Sequence, residues 1–139
     1  MRNFLYFLIF LFLFPNILFA KSEYLKKGID LYNENEFENA KLKFEQDIVF
    51  NPKSELSYLY LSKIFNKQDK KNLEEQNLNT VILLNPKNEE AIYNLAKLKL
   101  SSSDYSKSKD LNKKLKSICF NFCNQSDKLK IEIENLSKK

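Results

Sequence analysis

The chain has no histidine, one arginine, one glycine, three prolines and two cysteines in 139 residues. Without histidine there is no ordinary side-chain base near neutral pH, and Ser-His and Cys-His nucleophile pairs are excluded. Two thiols leave a structural zinc site short of ligands, so no metal is expected. A single glycine supplies no Gly-rich phosphate loop, and the absence of a Ser/Gly tract leaves no flexible linker. Carboxylates are numerous (Glu34, Glu36, Glu38, Glu74, Glu75, Glu89, Glu90), but they fall in polar turns and helix starts, where they solvate the surface and favour helix N-termini. No catalytic residue, no cofactor and no enzymatic activity are expected.

What is present is a period. Asn51-Pro52 and Asn85-Pro86 lie 34 residues apart, and the residues before each fall into one helical register. Proline disfavours helical geometry in the residue before it and fits the first helical turn, so each pair punctuates a helix end. In the first unit Tyr24, Gly28 and Leu31 share a helical face, and Ala40, Phe44 and Ile48 share another. Between them Asn33-Glu34-Asn35-Glu36 has no apolar residue and an Asn able to take positive φ, so it reads as a turn between antiparallel helices. Gly28 inside a helix costs about 1 kcal/mol against alanine, a cost offset if a neighbouring helix approaches closely. A second unit repeats the scheme with Tyr58, Leu61, Ser62, Phe65, Leu78, Val81 and Ile82. A third uses Ile92, Leu95, Ala96, Tyr105, Ser108, Leu111, Leu115 and Ile118. Units this small cannot bury their apolar faces alone and must stack.

These residues resemble the tetratricopeptide repeat (TPR) family, whose 34-residue pattern runs Trp-x2-Leu-Gly-x2-Tyr, then Ala-x3-Phe, then Pro. Tyr24, Gly28, Leu31, Ala40, Phe44 and Pro52 match in the first unit. Ala91 to Ala96 looks like the opening helix of a repeat, and Leu84 to Asn88 like a repeat junction. The resemblance covers roughly residues 21–122. It implies an all-α, right-handed α-solenoid of about three TPR-like helix-turn-helix repeats (21–54, 55–88, 89–122) plus a C-terminal capping helix over about 124–137. Departures are Lys27 for Leu, Lys71 and Glu74 at apolar and small positions, Asn112 for Phe and Phe120 for Pro. Leu129, Ile133 and Leu136 give the capping helix one apolar stripe.

Residues 1–20 differ from the rest. Arg2, an uninterrupted apolar run from Phe4 to Phe14, Pro15-Asn16 and then Ala20 give the layout of a secretory signal peptide. The run is 11 residues, short of the roughly 20 a membrane span needs. Leu18 is larger than the small residue favoured two places before a cut, so an uncleaved anchor is the alternative. Export, to a periplasm or cell envelope, is the expected localisation. The remaining 21–139 suit one domain of about seven helices. The net charge is +5, with 22 of 23 basic residues Lys. Lys107 to Lys116 is read as a solvated helix face, and no nucleic-acid partner is expected. Cys119 and Cys123 sit four apart. In a continuous helix their Cβ atoms would be roughly 6 Å apart, against the ~3.5–4.5 Å of a disulfide. A bond would need a turn there, where the register places a junction, and the sequence leaves disulfide and free thiols open.

The resemblance implies that the first helix of each repeat lines a concave groove. The inward positions would be Leu25, Ile29 and Tyr32; then Leu59, Tyr60, Lys63 and Asn66; then Tyr93, Asn94 and Lys97. Tyrosines give contact area with a polar tip, and the lysines suit a protein or peptide partner that is acidic or has a free carboxylate. The family's carboxylate clamp for chaperone C-termini is not expected, because Leu25, Ile29 and Glu90 stand where it needs Lys and Asn. The expected function is an exported, non-catalytic adaptor or scaffold for protein-protein interaction. The alternative is a membrane-anchored structural subunit, tethered through residues 1–20 and using its convex or Lys-rich faces.

Overall fold

The computed structural model describes residues 15–138. Among the described residues there are seven helices: α1 (Pro15–Asn33), α2 (Phe37–Phe50), α3 (Glu55–Lys67), α4 (Lys71–Leu84), α5 (Glu89–Ser101), α6 (Tyr105–Ile118) and α7 (Cys123–Leu136). The period in the sequence is also a period in the backbone. α3, α5 and α7 begin at 34-residue intervals, and so do α2, α4 and α6. The first helix departs from it. α1 begins at Pro15, ahead of position 21 where the register would start it, and proline is favourable in a first helical turn. Most of the expected leader, residues 1–14, lies outside the described residues. No helix among the described residues is long and apolar enough to cross a membrane.

Each turn within a repeat is made the same way. Asn35, Asp69 and Ser103 take positive φ (64°, 53° and 61°), again 34 apart. The following N–H reaches back five residues: Glu36 to the Leu31 carbonyl, Lys70 to Phe65 and Asp104 to Lys99, each at 2.9 Å. This double-bonded ending satisfies carbonyls that a helix C-terminus otherwise leaves open, and glycine usually supplies its left-handed residue. Here Asn, Asp and Ser carry it, so a chain with one glycine still turns three times.

The contacts divide the chain into two compact units, up to Tyr60 and from Leu61 on. The boundary falls within α3, inside the second repeat.

In the first unit α1 packs on α2. Gly28 is where they meet. A Cβ there would stand 2.7 Å from Phe44 Cε1, and Phe44 and Ala40 are fully buried. The glycine is therefore a packing residue, and its helix-propensity cost is exchanged for close approach. Asp47 is also buried, and its Oδ2 accepts from the hydroxyls of Ser54 and of Ser57, the latter at 2.5 Å. Val81 and Leu115 hold the equivalent places in the later repeats.

In the second unit α4 packs on α5, α5 on α6, and α7 on both α5 and α6. Ala96, Leu100, Leu129 and Ile133 form a buried cluster that docks α7. Burying a Leu or Ile side chain contributes about 1.5–3 kcal/mol, which makes this pair the main term holding the last helix. Asn112, at a Phe position of the repeat, has a specific use. Its Nδ2 donates to the Ser126 carbonyl (3.0 Å) and its Oδ1 accepts from the Ser126 hydroxyl (2.9 Å). A benzyl side chain could make neither bond, so this departure ties the capping helix down.

Candidate partner-binding face

In the first unit the inward positions form an aromatic and aliphatic surface. Tyr32 meets Tyr60 edge-on at 5.0 Å and Phe37 at 5.4 Å, and Tyr60 stacks on Phe44 at 5.0 Å. Both tyrosines are half-buried, as are Leu25 and Ile29. Leu59 is different. It is 4 % exposed, a core residue with no surface to offer a partner. Its neighbour Tyr60 takes the outward side of that turn of α3.

In the second unit the inward positions are polar, and part of their charge is already answered. Lys63 Nζ lies 2.7 Å from Glu90 Oε1, so Lys63 presents a pair rather than a lone cation. Asn66 donates to Glu74 Oε1 at 3.1 Å. Burial pushes the Glu74 carboxyl above its ordinary range, and the Asn66 bond opposes that only in part. Tyr93, Asn94 and Lys97 make one continuous row on α5. Tyr93 and Asn94 are half-exposed and Lys97 is exposed, with its Nζ 6.0 Å from the centre of the Tyr93 ring.

Behind that row lies a bond that the sequence left open. Cys119 and Cys123 are joined by a disulfide, with their Cα atoms 5.2 Å apart. The helix stops at Ile118, and residues 119–122 make the turn a bond requires. The loop aims three consecutive backbone N–H groups at one carboxylate: Phe120 N to Glu89 Oε1 at 2.8 Å, and Asn121 N and Phe122 N to Glu89 Oε2 at 2.9 and 2.8 Å. Burial raises the Glu89 carboxyl, but the bonds from Phe122, Phe120 and Asn121 outweigh it and hold the group below its ordinary range. Successive N–H groups turned to one point form an anion-binding concavity, and Glu89 fills it from within the chain. Phe122 then packs on Tyr93, their ring centres 5.6 Å apart. The Cys-x3-Cys spacing was the available signal, but the partner of its loop, 31 to 33 residues earlier, had none.

No family model and no curated protein matches the chain. Solved structures do. The TPR2B domain of yeast Sti1 in its pHsp70 complex superposes with a TM-score of 0.78 at 13 % identity, covering 85 % of this chain and 98 % of that one. The first TPR of Spaghetti (RPAP3), bound to the HSP90 peptide SRMEEVD, gives 0.75 at 12 % identity, over 85 % and 94 %. The Yersinia enterocolitica type III secretion chaperone SycD, in complex with a peptide of the translocator YopD, gives 0.75 at 14 % identity over the same shares. The chain has the TPR fold. It is an all-α TPR solenoid of three helix-turn-helix repeats with α7 as its cap. Within that TPR register, Gly28, Ser62 and Ala96 take the small position of each first helix, and Ala40, Glu74 and Ser108 that of each second helix. Of these six only Glu74 is large, and it is the carboxyl that burial perturbs.

Proposed function

We propose that the protein is a non-catalytic adaptor that holds an extended segment of another protein on the inward faces of its first helices. The observation that carries this reading is the Tyr93–Asn94–Lys97 row, where an aromatic face and an adjacent amide lie one turn of α5 before an exposed ammonium. An amide can bond a peptide backbone, a tyrosine ring covers an apolar side chain, and a lysine takes a carboxylate. The peptide ligands of the RPAP3 and SycD structures support the class of partner. A carboxylate-bearing segment fits Lys97, whereas Glu90, paired with Lys63, disfavours a clamp of the chaperone type. The apolar positions Leu25, Ile29 and Tyr32 suit hydrophobic residues of a partner segment.

The protein acts, on this reading, after export to the periplasm or cell envelope. The layout of residues 1–20 supports that, and so does the Cys119–Cys123 bond, because disulfides persist in oxidising compartments. The mass of the cellular protein separates a chain beginning at Lys21 from one that keeps its N-terminal segment as an anchor.

Binding of fluorescent acidic peptides with free C-terminal carboxylates tests the site. The native protein is expected to bind members of such a set, and a folded Tyr93→Ala/Lys97→Ala variant to bind them more weakly. Equal binding by both would move the surface off α5.

A further inference from the structure

The register places the loop 119–122 where the two earlier junctions have Pro52 and Pro86, yet the loop has no proline and Phe122 makes no side-chain cap for α7. Its shape rests on two other things. One is the Cys119–Cys123 bond and the other is the Glu89 carboxylate. Both act on the same short loop, and the three N–H groups converge on Glu89 in its closed form. The loop is also accessible. Phe120 is 88 % exposed, and both cysteines are only half-buried.

We propose that the Cys119–Cys123 bond is a redox switch for the Tyr93–Asn94–Lys97 face, an inference that rests on the binding role given above to that face. A dithiol reductant supplies two electrons and two protons, leaving thiols on Cys119 and Cys123 and emerging as its own disulfide. The opened loop then loses the alignment of its N–H groups, with two consequences for α5. Phe122 leaves its fixed place against Tyr93, so the ring that lies under Lys97 loses its support. Glu89, four residues before Tyr93 and on its side of the helix, loses its three backbone donors. Its charge, no longer offset by those N–H dipoles, then adds to that of Glu90 in repelling an acidic segment approaching Lys97. The oxidised protein is therefore the binding form and the reduced protein the releasing form.

The test uses the full chain in oxidised, dithiol-reduced and re-oxidised states, with a Cys119→Ser/Cys123→Ser variant as the permanently open form. Amide hydrogen exchange at residues 120–122 and NMR signals of the Tyr93 ring report the switch without any ligand. A bond to a charged acceptor is strong enough that its loss should speed exchange about tenfold or more. Reduction is expected to do this and to shift the Tyr93 signals, re-oxidation to reverse both, and the double variant to resemble the reduced form and ignore the dithiol. Glu89→Gln, which keeps the bond, is expected to loosen the same amides in the oxidised state. Unchanged exchange and unchanged Tyr93 signals on reduction would overturn the switch. An acidic peptide probe with a free carboxylate reports the consequence, binding the oxidised form several-fold more tightly. Equal affinity in both states, despite a mobile loop, would overturn the regulation. A probe that binds neither form would instead count against the binding role itself, while the exchange readout still decides the switch.

Discussion

The second and third repeat junctions, 34 residues apart, hold the same register by different chemistry. At Asn85–Asn88 a proline and two local side-chain bonds shape the turn. Pro86 fixes the backbone, Asn85 Oδ1 accepts from Lys87 N at 3.1 Å, and Asn88 Oδ1 accepts from Ala91 N at 2.7 Å to cap α5. At Cys119–Phe122 there is no proline and no capping side chain, and a covalent bond and a carboxylate from the start of α5 take their place. A local junction is readable from four consecutive residues and holds whatever its surroundings. The other kind depends on a distant residue and on oxidation, so it can be opened. The contrast predicts that damage to the second junction will be small and unconditional, and damage to the third larger and conditional.

The largest effect should follow from Cys119→Ser/Cys123→Ser. Chain-entropy arguments give a loop this short about 2 kcal/mol of stabilisation, and thermal or urea unfolding under oxidising conditions measures it. Glu89→Gln should come next, and its cost should depend on pH. The folded carboxyl sits below the ordinary value of 4.5, so its contribution is present above that value and is lost as pH falls through the folded pKa. Native and variant melting temperatures should therefore differ at neutral pH and converge in acid. Glu74→Gln reverses the sign. Burial raises the Glu74 carboxyl above 4.5, so its stabilisation is complete below that value and is lost as pH rises through the folded pKa. The variant should melt higher than the native chain at neutral pH and show no advantage in acid. Asn88→Ala, at the local junction, should cost about 1 kcal/mol, with no dependence on redox state. Ser103→Gly should give the smallest change, a gain of up to about 1 kcal/mol in chemical unfolding. It removes the strain of a left-handed serine and loses part of that to backbone entropy.

How far the sequence could be read follows the same division. The helix-turn-helix order, the turn at Asn35, the close approach at Gly28 and the α7 stripe of Leu129 and Ile133 were all readable, because each is marked by residue type at a regular spacing. The departures from the repeat pattern were visible but their meaning was not. Asn112 looks like a lapse until Ser126 is beside it, and Glu89 looks like one more solvated carboxylate until the loop closes over it. The donors that select Glu89 are backbone N–H groups, which every non-proline residue carries, so no residue type marks them. Lys63 and Leu59 show the same limit within the candidate face. Their helix was assigned correctly, but the pairing of one with Glu90 and the burial of the other depend on neighbours in space.

The central claim is that the α5 row receives a carboxylate-bearing segment, and amide and side-chain NMR of the oxidised full chain tests it most directly. On titration with an acidic peptide bearing a free C-terminal carboxylate, the account predicts shifts centred on Tyr93, Asn94 and Lys97. Shifts confined to the lysines of α6, from Lys107 to Lys116, would contradict it and make charge on the outer surface the basis of binding.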